Sequence, residues 1–243
     1  MIQSWQQRLA AAVIAIVVPS AHGDDFSRLT HSLLTQSPGR VALSDADIGA
    51  GLREALAKGT RTAVNQLGRT DGFWADPRVR IPLPGPAAQA EGVLRQAGMG
   101  QSLEQLHVAF NRAAEQAVPV AADVFAEAVR KLTLEDVRGI LNGPQDAATQ
   151  YFRRTTSDTL AARFKPIVAG VTARVGLARQ YDSLMASAGP LVSMFGAPPD
   201  LDSYVTGKAL DGLFLRVADE EKAIRNNPAA RTTDLLRKVF GGK

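Results

Sequence analysis

The stretch QSLEQLHVAFNRAAEQAVPVAADVFAEAVRKL, residues 101–132, decides the fold. Leu103, Leu106, Phe110, Ala114, Ala117, Ala121, Val124 and Ala128 fall on one stripe at about 100° per residue, with Arg112, Asp123 and Arg130 opposite. That is the pattern of an amphipathic helix lying on a core. Its alanines let a neighbouring helix approach closely. Pro119 has no N–H and its ring collides with the carbonyl one turn back, so a kink is expected there.

Outward from this run the chain reads as helix after helix. Ser44, with Asp47 three positions on, forms an N-cap that opens a helix to about Leu67. Residues 68–86 have no helical period; within them Val79-Arg80-Ile81 predicts a short extended segment near 78–82, either an edge strand or a run over the surface. A helix from Pro86 to Gln96 follows, then a break at Gly98-Met99-Gly100. Thr133 caps a short helix to Leu141, and Asn142-Gly143-Pro144 ends it and starts the next. From Pro144 to about Ala188 the pattern fits two helices, or one broken near Thr155-Thr156-Ser157, with Pro166 inside. Gly196-Ala-Pro-Pro199 precedes a helix from Leu201 to Arg225, and Thr233–Phe240 reads as a terminal helix. Asp25–Gln36 is a short apolar-periodic segment. The fold class is all-α: a multi-helix bundle with proline-kinked long helices.

Composition removes whole classes of chemistry. The 243 residues contain no cysteine, which excludes disulfides, thiolate metal sites and thiol nucleophiles. Three histidines leave little for metal sites or proton relays. The surplus of four cations is dispersed, too small to announce a nucleic-acid partner.

Residues 1–23 read as a secretory signal: Arg8, ten apolar residues from Leu9 to Val18, then Ala21 and Gly23 as small residues before a cleavage site. Ten residues span about 15 Å of helix, half the apolar thickness of a bilayer, so an integral membrane anchor is not expected. The predicted organisation is a signal peptide over 1–23, a variable segment over 24–42 and a single helical domain over 43–241. The mature protein is expected in the periplasm, cleaved near Gly23.

Gly207-Lys208 is followed by Ala209, and neither glycine pair before it has the third glycine, so both phosphate-loop motifs are missing. Glu104-Gln-Leu-His107 is half of a di-iron motif, but the other half is not supplied, which leaves His107 as a hydrogen-bonded boundary residue and no metal. Gly-x-Ser-x-Gly and Ser-x-x-Lys are absent. Residues 151–181 hold six cations (Arg153, Arg154, Arg163, Lys165, Arg174, Arg179) against Asp158, two weak stripes that suit a solvated face, or contact with anionic lipid headgroups or another acidic partner. Glu221 falls on the apolar side of its helix, beside Leu213, Phe214, Val217 and Ile224, where a carboxylate needs a partner such as Arg225.

The runs Gly139–Phe152, Phe164-Lys-Pro-Ile-Val168, Leu201–Tyr204, Ala209–Phe214, Glu220-Glu221 and Ile224-Arg225, with Asn111-Arg-Ala-Ala-Glu115, resemble a bacterial exported family catalogued as domain of unknown function 4197. The resemblance runs from about Leu43 to Gly241 and implies export and a helical fold, with no activity attached. Within it, Asp146, Thr149, Tyr151 and Arg153 surround a helix start after a Gly-Pro turn, where free N–H groups collect. Together with Glu221 they are the candidate ligand-binding residues, against the plainer roles of capping and core. The expected function is a non-catalytic binder of an apolar or amphipathic ligand such as a lipid, or of an envelope partner, with homo-oligomerisation open and no cofactor required. The alternative is a hydrolase or lyase that uses Asp146, Tyr151 and Glu221.

Overall fold

The Ser44 hydroxyl accepts a hydrogen bond from the Asp47 N–H and the Asp47 carboxylate accepts one from the Ser44 N–H, a capping box that starts α1 (Asp45–Leu67). The structure is a computed structural model and describes residues 44–187 and 200–226. These lie in the compact unit that spans Leu43–Lys243. After α1 come α2 (Gly85–Gln96), α3 (Gly100–Ala117), α4 (Ala121–Arg130), α5 (Leu134–Asn142), α6 (Ala147–Arg174), α7 (Leu177–Ser187) and α8 (Leu201–Asn226). The described residues contain helices and no strand. The leader, the Asp25–Gln36 segment, the Gly196–Pro199 break and the Thr233–Phe240 helix fall outside them.

The deciding stretch is two helices. Pro119 converts the expected kink into a 3₁₀ turn, Val118–Val120, between α3 and α4. All eight residues of the predicted stripe are buried. Around them Phe125 meets Phe152 and Phe214 edge-on, with ring centroids 5.1 Å and 6.2 Å apart. A second capping box, Thr133 with Asp136, opens α5. The suggested break near Thr155-Thr156-Ser157 does not occur, and α6 runs unbroken for 28 residues. Each of the three hydroxyls donates to the carbonyl four residues back, at 2.8, 2.6 and 2.5 Å, so the polar run stays within the helix. α6 ends instead at Val175-Gly176, where Gly176 takes φ +62°.

The segment between α1 and α2 forms no strand; its 78–82 run lies at the surface with Arg78, Arg80 and Pro82 exposed, but its other side is part of the core, and α3 holds it there. Phe73, Val79, Ile81 and Leu83 are buried. Val79 and Arg80 both donate to the Asp76 carbonyl, at 3.1 and 2.8 Å, so the run begins as a tight turn. The Asn111 amide then does for Ile81 what a neighbouring strand would do. Its Oδ1 accepts from the Ile81 N–H at 2.8 Å and its Nδ2 donates to the Ile81 carbonyl at 3.1 Å. One turn further on α3, Glu115 Oε1 accepts from the N–H groups of Phe73 and Trp74, at 3.0 and 3.2 Å. Its other oxygen accepts from Arg112, which also reaches Asp71, each at 2.6 Å.

From the opposite side, α8 meets the same segment. Arg216 pairs with Asp76, Arg78 with Asp219, and the Tyr204 hydroxyl donates to the Pro82 carbonyl. A side chain at Gly212 would come within 2.7 Å of the Phe73 ring, and one at Gly72 within 2.5 Å of the α1 carbonyls Gln66 and Leu67. Both positions need glycine for close approach.

Asn111→Ala strands a buried N–H and a buried carbonyl of Ile81 at once. It is expected to lower the unfolding free energy by about 2–4 kcal/mol. Urea denaturation followed by circular dichroism measures this. A loss below about 1 kcal/mol would mean that water satisfies Ile81 and that the clamp is not what holds the segment.

Candidate functional site

α5 stops before Gly143, and α6 starts two residues beyond Gln145 with its first N–H groups pointing out of the helix. Glu221, carried in from α8, closes that end. Its Oε1 accepts from the Ala148 N–H at 3.0 Å, and its Oε2 accepts from the Thr149 N–H and hydroxyl, both at 2.9 Å. Arg225, one turn on along α8, donates to Oε1 from Nε at 3.1 Å and from Nη2 at 2.9 Å. Arg225 also donates to the Ile140 carbonyl of α5, at 2.8 Å. Glu221 is 7% exposed and every contact it makes is with this protein's own donors. The anion-seeking end of α6 is filled by the chain itself.

The other candidate residues separate around the α6 start. Asp146 is exposed, and its carboxylate accepts from Gln150 Nε2 at 2.9 Å. Tyr151 is buried and turns away, its hydroxyl donating to the Ala128 carbonyl of α4 at 3.2 Å; burial raises its pKa above the ordinary phenol value. Arg153 is exposed, with its guanidinium 4.6 Å from the centre of the Phe214 ring and 3.8 Å from Asp211.

Asp146, Thr149 and Arg153 line one cleft, of about 490 Å³, between the 78–82 run, the start of α6 and the middle of α8. Tyr151 and Glu221 do not line it. Of the trio invoked for carboxylate catalysis, Asp146 alone faces this space. The cleft has an apolar floor from Val79, Ile81, Phe214 and Leu215, and cations at its edge: Arg78, Arg80, Arg153 and Lys208. Arg80 stacks on Trp74, 4.5 Å from the ring centre, and its Nε donates to the Trp74 carbonyl at 2.6 Å. A second concavity, an open groove of about 700 Å³, runs between α3 and the end of α6, with Val108, Ala109, Val171 and Val175 as its apolar part.

Sequence reasoning found Asp146, Thr149 and Arg153 but missed Arg80, Lys208 and Leu215, which come from two other segments. Ala209–Phe214, part of the family pattern, lies on the α8 wall of the cleft, but nothing in its spacing points to Arg153. The basic run 151–181 divides: Lys165 goes to Asp200 and Ser203, Arg174 to Gln116, and Arg179 sits on α7 rather than α6.

His107 is a boundary residue hydrogen-bonded to the Ile81 backbone, as expected. It is half-buried with its ring edge-on to Trp74 at 5.4 Å, and its Nε2 has no hydrogen-bond partner. Burial lowers its pKa, opposed by the charges of Glu91 and Glu104 and by the Ile81 backbone, and assisted by Arg80. Among the described residues no group of three or more His, Asp or Glu is placed to hold a metal ion, and no helix is long and apolar enough to cross a membrane.

The fold and the site define an all-helical bundle whose buried carboxylates are consumed internally and whose surface carries an amphipathic cleft. The chain belongs to the family described as protein of unknown function DUF4197, whose pattern matches residues 42–241. No curated protein and no solved structure matches it.

Two outcomes follow from this geometry. Glu221→Gln keeps the shape but sets an NH₂ group against N–H donors and leaves Arg225 without its anion, so a loss of about 3 kcal/mol in unfolding free energy is expected by urea titration. A loss under about 1 kcal/mol would contradict the capping role. For His107 the folded state holds the imidazole below its ordinary value near 6.5, so protons prefer the unfolded chain. The stabilisation is complete above about pH 6.5 and declines as pH falls towards the folded value. Urea midpoints of the wild type should therefore fall between pH 7.5 and pH 5 by more than those of His107→Gln; equal falls would remove His107 from the account.

Proposed function

We propose that this protein is an exported, non-catalytic binding protein of the bacterial envelope, and that the cleft at the start of α6 takes an amphipathic ligand. The observation that carries the reading is the cleft itself: about 490 Å³, within the usual size of ligand sites, with an apolar floor and an edge of cations and hydrogen-bonding groups. A second support is the use made of the buried acids. Glu221 and Glu115 are each committed to two backbone N–H groups and an arginine, which leaves neither free to pass a proton to a substrate. Export rests on the leader read in residues 1–23.

Native mass spectrometry of protein released from the periplasm tests both parts. The expected result is a chain that begins at Asp24 and carries an additional mass that disappears on denaturation. An intact leader on protein found in the cytoplasm would overturn the export reading. A clean mass, with no binding when amphiphiles are added back, would overturn the binding role.

A further inference from the structure

We propose that the ligand of the cleft is an amphipathic carboxylate, its acid held by Arg153, Lys208 and Arg80 and its apolar portion on Leu215; this rests on the binding role proposed above. The cations of the cleft are not equally committed. Arg78 is bound to Asp219 through both terminal nitrogens, at 3.3 and 2.5 Å, and is spent. Arg153 and Lys208 share Asp211, at 3.8 and 3.7 Å, beyond hydrogen-bond reach. Arg80 uses Nε on the Trp74 carbonyl, with its guanidinium over the Trp74 ring. Three cations thus bring donors to the cleft against two carboxylates, and Asp146 is engaged by Gln150. The imbalance is a single positive charge, which a monoanion matches.

The planar forks of Arg80 and Arg153 suit a carboxylate, which accepts two parallel hydrogen bonds from a guanidinium. The floor supplies the other half of the argument. Leu215 is 38% exposed, one of four large hydrophobic side chains that stand out among the described residues, and it lines this cleft. The Phe214 ring is already covered on one face by Arg153, so an acid on that guanidinium places its hydrocarbon beside Leu215. An isolated inorganic anion would leave the apolar floor unused, and a neutral alkane would leave the cations unused.

The test is a titration of the full chain with octanoate, octanol and octylamine, followed by amide NMR shifts. Octanoate should move the amides of Ile81, Thr149, Arg153 and Leu215, and octanol and octylamine should bind at least about tenfold more weakly. Arg153→Gln and Lys208→Gln should each weaken octanoate about fivefold, and Leu215→Ser should weaken it without changing the preference for acid over alcohol. These positions are exposed, so the variants keep the fold, which circular dichroism checks. N-acetyl-leucyl-leucine against its amide asks the same question of a peptide end: tighter binding of the acid supports the proposal, and its strength relative to octanoate tells a peptide source from a fatty acid. If octanol binds the same amides as well as octanoate, the carboxylate inference fails while the binding role stands. If acetate matches octanoate, the amphipathic requirement fails. If no probe moves these amides, this inference and the placement of the ligand in this cleft both fail.

Discussion

The carboxylate of Glu221 crosses from α8 to close the first turn of α6, and the arrangement of the bundle around that corner depends on it. A helix 28 residues long presents several unpaired N–H groups at its start, and here the start is buried. Asp146 stands at the N-cap but makes no capping bond, so the local sequence does not solve the problem. The solution comes from 72 residues away, at Thr149 N–H and hydroxyl. Burying a carboxylate costs several kcal/mol unless its oxygens are satisfied, and two N–H groups, a hydroxyl and a guanidinium satisfy them. Arg225 then carries the link on to the last turns of α5 through Ile140. One ion pair joins three helices.

The same device recurs on α3. Glu115 gives its carboxylate to the backbone at Phe73 and Trp74, while Asn111 gives its amide to Ile81. In both places a polar side chain on a helix stands in for a backbone partner that an all-helical fold does not supply. The consequence reaches the cleft. Ile81 is held from below by a buried bond to Asn111 and Pro82 from the α8 side by an exposed bond from Tyr204, so the wall that carries Arg80 is tied to both helices. Arg153 and Lys208, unlike Arg78, can therefore sit at the cleft edge without a carboxylate at hydrogen-bond distance.

The sequence made the helices legible because their signals are local. The Ser44–Asp47 and Thr133–Asp136 boxes, the alanine stripe of residues 103–128 and the prolines all act within one or two turns. What failed was also informative. Thr155-Thr156-Ser157 suggested a break because such residues compete with the helix for backbone bonds, yet the competition ended in bonds to carbonyls four residues back that leave the helix intact. Residues 68–84 have no period, and nothing local says that their backbone belongs to the core; that information sits in Asn111 and Glu115, some 30 to 42 positions away. Within the site, Glu221 stood out as a carboxylate on an apolar face and Arg225 as its neighbour, but its union with Thr149 requires the α6–α8 contact. The cleft is harder still: Arg80, Arg153 and Lys208 lie on three elements and share no spacing.

The two kinds of charged group divide the work by burial. Buried carboxylates make short bonds to fixed donors, and removing one leaves those donors stranded, so they are held in one position. Exposed pairs at 3.7 and 3.8 Å around Asp211 contribute little to stability and little resistance to rearrangement. A ligand anion that displaces Asp211 from Arg153 therefore meets a small opposing term, whereas one that displaced Glu221 from α6 would have to unmake the junction of α5, α6 and α8. Of these two places the cleft edge is the one left open to an anion, while the helix terminus that would otherwise attract one is sealed by the fold.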